Sequence, residues 1–390
     1  MKLFSLINAV IVISLILSQS SYSLPRFALM TGSKCGTCHI NPTGGQMRNE
    51  YGVNFSMDAV PLRATKEDDF SFDAKVTDNI SLGADYRSQF MYDQKSKTST
   101  FQSMTTTLYG AAQLTKKITF YFKHDIVNGT YNGLFGGIYN GTEVFGIARV
   151  LPQGWYIKGG SFLPDYGWRL DDHTAYTRGG DLGFTGAGFH PGLLFIPNYK
   201  DIGAEIGGYI QNLLITAGVF NGTGHSTPID FSKQKAYSAK LEYMDKLGSI
   251  NCRVGVSGYG YKSFKMGGVT VGLATANSVI VILGEIDWTH HYLAGSTVLE
   301  GVHTMAALAE LDYRIIQGLW FTGKFDMFDP LRGVKDNDMS PSTNSLKRIT
   351  IGLEIFPYSF VEVRPQFRLT LEKPSIDDNN VGLVQVHLWF

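Results

Sequence analysis

The chain has 390 residues, of which 44% are hydrophobic and only 17% are charged. The 34 basic residues balance the 34 acidic ones, so the chain lacks the basic footprint expected of a protein that binds nucleic acid. The 44 glycines and the 13% aromatic content are typical of a membrane β-barrel, which needs tight turns and rings of aromatic side chains.

Residues 1–23 have the features of a secretory signal peptide. Lys2 gives the positively charged N-terminal region, and residues 3–17 form an apolar core of the usual length. Ser21 and Ser23 are small residues of the kind that flank a cleavage site. The apolar run is short for a membrane-spanning helix, and no later run of about 18 apolar residues follows. We therefore expect the mature chain to be exported and to contain no transmembrane helix.

Soon after the signal comes the sequence Cys35-Gly-Thr-Cys38-His39. Two thiols at this spacing can each add to a vinyl group of one haem, and the adjacent imidazole can ligate the iron. The motif predicts one covalent haem c, held by Cys35 and Cys38, with His39 as the proximal iron ligand. The alternatives are a disulfide or redox thiol pair, or a zinc site that would lack a fourth soft ligand.

The sequence does not decide which residue is the second axial ligand of the haem iron. Met47, eight positions after His39, is the first choice, because a thioether ligand raises the haem potential relative to a second histidine. Apolar packing is the alternative explanation for each methionine. The other candidates are Met57 and Met30 and, for a haem that enters the barrel, His124 and His173.

Residues 24–69 form the predicted monohaem cytochrome c-like segment, which ends in a charged linker at 61–69. A segment of roughly 40 residues is below the size that usually buries its own core. We therefore expect the mouth or lumen of the following barrel to cover the haem.

Residues 70–390 alternate between apolar and polar positions and predict an all-β fold, a transmembrane antiparallel β-barrel of about 16 strands. In 361–372, for example, Val363 and Phe367 share one face, while Arg364 lies on the other. Pleating sends successive side chains to opposite faces, so one face can meet lipid and the other the lumen. Short turns alternate with longer loops, as in outer-membrane barrels.

The predicted lumen face carries charges of both signs, which favours salt bridges across the lumen over a strongly selective pore, although an ordinary wet porin wall would also fit. The longest stretch without a strand pattern, 163–200, contains Asp165, Asp171, Asp172 and His173. We expect this loop to constrict the mouth or to meet an external redox partner, the alternative being a solvated loop.

The chain ends with Val384, Val386, Leu388 and Phe390 alternating up to an aromatic C-terminal residue. This pattern resembles the terminal strand signal by which bacterial outer-membrane barrels are recognised for insertion. Together with the signal peptide, it predicts location in the outer membrane, in contact with lipid.

A haem motif at Cys35, Cys38 and His39 followed by a barrel that ends at Phe390 resembles the fused monohaem cytochrome–porins of the outer membrane, best known from iron-oxidising bacteria. The resemblance covers the mature chain in architecture. It implies electron transfer between an external partner such as Fe2+ and a periplasmic carrier, for which a soluble cytochrome is the expected partner, and it raises iron oxidation as a possible activity.

A second hypothesis is a porin-like solute channel whose N-terminal segment senses redox state or plugs the pore. A third is a structural barrel with a Cys35–Cys38 disulfide. The sequence contains no nucleophile triad, paired carboxylates or phosphate-binding loop that would indicate hydrolysis or group transfer.

Overall fold

The computed structural model describes residues 25–63, 73–127, 142–170, 174–180, 193, 200–222, 231–275, 277–294, 297–339, 343–373 and 379–390. Within these ranges the chain forms a small N-terminal segment with two α-helices, α1 (Pro25–Thr31) and α2 (Glu50–Asp58), followed by a large antiparallel sheet. In this part of the chain, neither helix is long and apolar enough to span a bilayer.

Sixteen strands of the described residues close into a barrel. In chain order, β1 to β16 are Ile80–Asp93, Thr98–Thr115, Ile118–Val127, Thr142–Ala148, Tyr156–Phe162, Asp201–Ile210, Leu213–Phe220, Ala236–Leu247, Ile250–Tyr261, Phe264–Thr275, Ile280–His290, Met305–Ile316, Leu319–Asp329, Leu346–Ile355, Val361–Leu371 and Val381–Trp389. A short strand, Lys75–Thr77, pairs with β1, and a separate hairpin, Tyr292–Ala294 with Thr297–Leu299, lies between β11 and β12.

The barrel closes where its last strand meets its first. Gln385 of β16 lies opposite Gln89 of β1, and beyond the ladder the Phe390 N–H donates to the Ala84 carbonyl at 3.0 Å. Closure leaves no exposed sheet edge, so backbone groups within the hydrocarbon are paired. The predicted antiparallel barrel of about 16 strands is confirmed.

Apolar side chains dominate the outer face of the barrel, whereas the inner face carries charged side chains together with an apolar cluster that includes Phe145 and Phe220. In β8, Tyr237, Leu241 and Tyr243 are exposed on the outer face, whereas Lys240 and Glu242 are buried on the inner face. Similar outward apolar residues occur along the other strands. Such a continuous apolar belt suits lipid and would be unfavourable in water.

The two ends of the barrel differ. At one end, here called the turn end, most connections are short, for example 116–117, 211–212 and 317–318. At the other, the loop end, most of them are longer. Short turns face the periplasm in bacterial outer-membrane barrels, so the turn end is the periplasmic one. Residues 128–141, between β3 and β4, fall outside the described residues.

The apolar belt predicts that the cost of a charged residue on the outer face depends on its depth in the membrane. Ile286 lies near the middle of β11 and is 51% exposed on the outer face. Ile286→Arg should lower the free energy of unfolding by about 2–4 kcal/mol, whereas Ile280→Arg, at the turn end of the same strand, should cost only about 0–1 kcal/mol. Denaturant unfolding in lipid vesicles measures both values, and equal losses would contradict the assigned depth.

Candidate functional site

Residues 25–63, here called the inner segment, lie inside the barrel at its turn end. On one side of the wall, Asn251 of β9 donates to the Leu29 carbonyl at 2.8 Å. On another side, Arg149, just beyond β4, donates to the Ile40 carbonyl at 3.3 Å. The haem motif therefore lies within the lumen, surrounded by the wall.

Arg26 in α1 anchors the start of the inner segment. Its guanidinium lies 3.4 Å from the Asp312 carboxylate of β12 and also contacts Glu354 of β14, and the side chain is almost fully buried. Although burial alone would lower it, Glu354 and Asp312 raise the pKa of Arg26 above its ordinary value. The residue is therefore a permanent cation held between two lumen carboxylates.

Helix α1 ends where the chain turns toward the motif. Gly32 has a φ of 66°, and the Ser33 N–H donates back to the Ala28 carbonyl at 2.9 Å. A glycine in this left-handed conformation is the common way to end a helix. Asn251 also donates to the Met30 carbonyl at 3.1 Å, so the barrel wall satisfies a helix-end carbonyl that the helix leaves free.

The motif itself forms one tight turn, a 3-10 helix at Cys35–Thr37. The N–H groups of Cys38 and His39 both lie 3.3 Å from the Cys35 carbonyl. Cys35 and Cys38 are not joined in a disulfide, and the Cys35 Sγ lies 3.6 Å from Arg253 of β9.

His39 is buried and oriented by the backbone. Gly44 and Gly45, with φ of 84° and 76°, reverse the chain and return Met47 to His39. The His39 Nδ1 lies 3.2 Å from the Met47 carbonyl, the contact by which a metal-binding histidine commonly fixes its tautomer. Burial, assisted by nearby Arg48, lowers the pKa of His39 to about 3, so the ring is neutral, the form that binds metals.

Met47, the first choice for the second iron ligand, lies on the Nδ1 side of His39. Its side chain packs in an apolar cluster that includes Tyr109 and Tyr121, and its Cγ approaches Gly83 of β1. An iron bound to the His39 Nε2 would lie on the opposite side of the ring. In this arrangement the Met47 carbonyl orients His39, and the Met47 side chain packs against the barrel wall.

The other proposed ligands are also accounted for. His124 lies on the outer face of β3, where its ring stacks with Phe122 at 6.3 Å, so the expectation that it could ligate a haem in the lumen is wrong. Met30 and Met57 are buried in two separate apolar clusters. His173 lies outside the described residues.

Helix α2 packs directly on the motif. Asn49 caps the helix by accepting from the Gly52 N–H at 3.0 Å, and its amide donates to the Thr37 carbonyl at 2.8 Å. A Cβ at position 52 would collide with the Cys38 carbonyl oxygen. Glycine at 52 is therefore what lets the helix approach the motif so closely.

A cleft beside Cys38 lies between α1, α2 and the barrel wall. Burial raises the pKa of the Cys38 thiol to about 12, so the thiol is protonated. Arg48 also lines the cleft, and its guanidinium lies over the Trp389 ring at 5.2 Å. The apolar walls are formed by Phe27, Phe55, Val60, Phe356 and Trp389.

At the turn end, a cavity of ≈ 740 Å³ opens beside α1. Lys34, the neighbour of Cys35, lines it together with Lys246, Arg253 and Arg314. This vestibule places basic groups beside the first motif cysteine.

A second segment fills the lumen from the loop end. Of the predicted 163–200 loop, the described parts at 163–170 and 174–180 fold inward. Arg178 lies 2.7 Å from Glu285, and Arg169 reaches the inner segment by donating to Thr43 at 3.2 Å. The two segments therefore meet inside the barrel. Asp171 and Asp172 of the same stretch lie outside the described residues.

The mixed charges predicted for the lumen occur as buried ion pairs. Examples are Lys158 with Glu205 at 2.8 Å and Arg348 with Asp326 at 3.3 Å. Sequence reasoning missed that Arg26 takes part in this network, although an arginine within the apolar run of 25–30 is a usable signal. It also missed Asn251 and Arg253, which no local pattern distinguishes.

No family model matches this chain, and no curated protein matches it. Solved porins share its fold. OprB of Pseudomonas putida has a TM-score of 0.56 at 10% identity, over 80% of this chain and 94% of that one. The anion-selective porin from Comamonas acidovorans gives 0.52 at 10% identity, over 80% and 99%. The outer membrane channel DcaP of Acinetobacter baumannii gives 0.51 at 11% identity, over 82% and 99%.

At such low identity, the likeness shows the fold alone. The chain is a porin-type β-barrel, and its outward apolar belt fits the lipid of the bacterial outer membrane, where we place it.

The Arg26 anchor can be tested through ion flow. Arg26→Met removes the cation from Asp312 and leaves Glu354 with Arg364 alone, and breaking a buried ion pair in this way costs about 3–5 kcal/mol. We expect the inner segment to loosen and ion conductance across planar bilayers to rise.

The matched control removes a second ion pair of the inner segment, one that is exposed. Lys75 contacts Glu50 of α2 at the surface, where such pairs contribute about 0–1 kcal/mol. Lys75→Ala should leave conductance unchanged. Equal conductance in both variants would mean that Arg26 does not hold the segment in place.

Proposed function

We propose that this chain is an outer-membrane electron-transfer protein that holds one covalent haem c inside a porin-type barrel. The observation that carries the proposal is the position of the motif. Cys35, Cys38 and His39 lie on a segment anchored within the lumen, where His39 presents a neutral, backbone-oriented imidazole.

The residues around the motif suit a haem. Cys35 and Cys38 are not joined in a disulfide and would form the two thioethers, and His39 would be the proximal ligand through Nε2. The cleft beside Cys38 encloses ≈ 40 Å³ and is also lined by Glu362 and His387, so it would have to widen to admit a haem. Its aromatic side chains would then cover the apolar ring, and Arg48 would pair with a propionate carboxylate. When bound, haem supplies a one-electron iron couple, whose potential the ligands and the burial tune.

The position of the segment also fits transfer across the membrane. The hydrocarbon core is about 30 Å thick and provides no redox groups, so a protein must supply them. The vestibule beside Lys34 gives a soluble periplasmic cytochrome access to the turn end. An extracellular donor or acceptor would approach from the loop end, and ferrous iron is the candidate that the resemblance suggests.

The second candidate is a solute channel that the inner segment plugs. It is favoured by the likeness of the barrel to solved porins and by the position of residues 25–63 across the turn end. In this case Cys35 and Cys38 would act as thiols, although the protonated state of Cys38 makes it a weak nucleophile.

Covalent haem distinguishes the two candidates. The tag-free full chain is made in a host competent for cytochrome c maturation, and the spectrum of the denatured protein is recorded in a covalent-haem assay. We expect one haem per chain, reversible reduction, and loss of the haem in the Cys35→Ser/Cys38→Ser double variant. Cys252→Ser, a change on a barrel strand, is the control that should keep the haem.

A colourless wild-type protein with reactive thiols at both motif positions would refute electron transfer through haem c. If that protein also conducted ions, the plugged channel would be the better account.

A further inference from the structure

Three histidine rings meet at the loop end of the barrel. His290 ends β11, His291 follows it, and His303 lies just before β12. The ring centroids are 4.0 Å apart for His290 and His291, 5.0 Å for His290 and His303, and 5.8 Å for His291 and His303. All three side chains retain some exposure to solvent.

The backbone brings the two consecutive histidines together. Neighbouring residues in a strand point to opposite faces, so adjacent imidazoles would normally diverge. His291 has a φ of 68°, a left-handed conformation that non-glycine residues adopt rarely and that often marks functional sites. The resulting turn at the end of β11 places its ring beside that of His290.

The two arms that carry the histidines are fastened to each other. The Thr289 N–H donates to the Thr304 carbonyl at 2.9 Å, and the two threonine hydroxyls lie 2.8 Å apart. His303 is held from a third side, because the Arg332 N–H donates to its carbonyl at 2.8 Å. Hydrogen bonds therefore fix the backbone that carries the three rings, which do not lie at the tip of a free loop.

The separations are close to those of a metal site. Zinc binds imidazole nitrogen at 2.0–2.1 Å in a tetrahedron, which places the centroids of two ligating rings about 5 Å apart. The distances from His303 to the other two rings, 5.0 and 5.8 Å, lie near this value, and the 4.0 Å pair must open. The His291 and His303 rings stack, whereas the other two pairs are tilted. The described residues contain no ready-made group of three converging ligands, so binding requires rotation of the side chains.

The three histidines are not equivalent. The Gly301 N–H donates to the His291 Nδ1 at 3.0 Å, so Nε2 carries the proton of the neutral ring. His291 must give up this hydrogen bond and change its tautomer before it can ligate through Nε2. His290 and His303, which face each other from the two arms, form the primary pair.

We propose that His290, His303 and His291 bind a divalent transition-metal ion at the outer mouth of the barrel. Imidazole ligands select zinc, copper, nickel or ferrous iron over magnesium and calcium. The site uses no residue of the inner segment, so it stands whether or not the chain carries haem.

The test uses the tag-free full chain in detergent and Zn2+ alone as the probe, with affinity measured by isothermal titration calorimetry. We expect saturable binding of Zn2+. Its affinity should fall about tenfold or more in His290→Ala and in His303→Ala, because losing even a residue that only supports a metal ligand has an effect of this size. His291→Ala should weaken binding less. His124→Ala removes an exposed histidine of β3 and should leave the affinity unchanged.

Copper provides a second readout that does not depend on heats of binding. The electron paramagnetic resonance spectrum of bound Cu2+ should show nitrogen couplings that disappear in the His290→Ala/His303→Ala double variant. Heat-modifiable migration in gels verifies that each variant is a folded barrel. Unchanged Zn2+ affinity in the folded double variant, or no saturable binding by the wild type, would overturn the proposal.

Discussion

The structure depends on the pairing of polar groups in a sheet whose outer face meets lipid. Hydrocarbon offers no hydrogen-bond partners, so the backbone must close on itself and the charged side chains must point inward. Those charges then need partners within the lumen, as Lys158 and Glu205 show. The inner segment supplies one such partner, because Arg26 stands between Asp312 and Glu354.

This constraint explains how a segment too small to fold alone can hold a defined motif. Residues 25–63 have little core of their own, and the barrel provides it: Phe27 packs near Trp320 of the wall, with ring centroids 6.5 Å apart. Gly272 leaves the space that Leu29 occupies. The wall thus buries the motif, as the helices of a larger cytochrome domain would. This burial determines the geometry around His39.

Much of the barrel could be predicted from the sequence because its signals are local. Alternation in 361–372, the turn at 317–318 and the approach to Phe390 each follow from residues a few positions apart. The motif at Cys35–His39 is equally local. Its surroundings are not: Asn251 is 222 positions from Leu29, and no spacing rule relates them. The role of Met47 also could not be predicted from spacing, because it depends on whether the carbonyl or the thioether of Met47 faces His39.

The central claim is that the motif lies inside the barrel, and hydrogen–deuterium exchange of the full chain in lipid nanodiscs tests it most directly. If the claim is right, the hydrogen-bonded amides of His39, Asn49 and Val53 exchange as slowly as those of the central strands. Exchange of these amides at the rate of a solvated peptide, with the strands still protected, would place the segment outside the lumen and contradict the account.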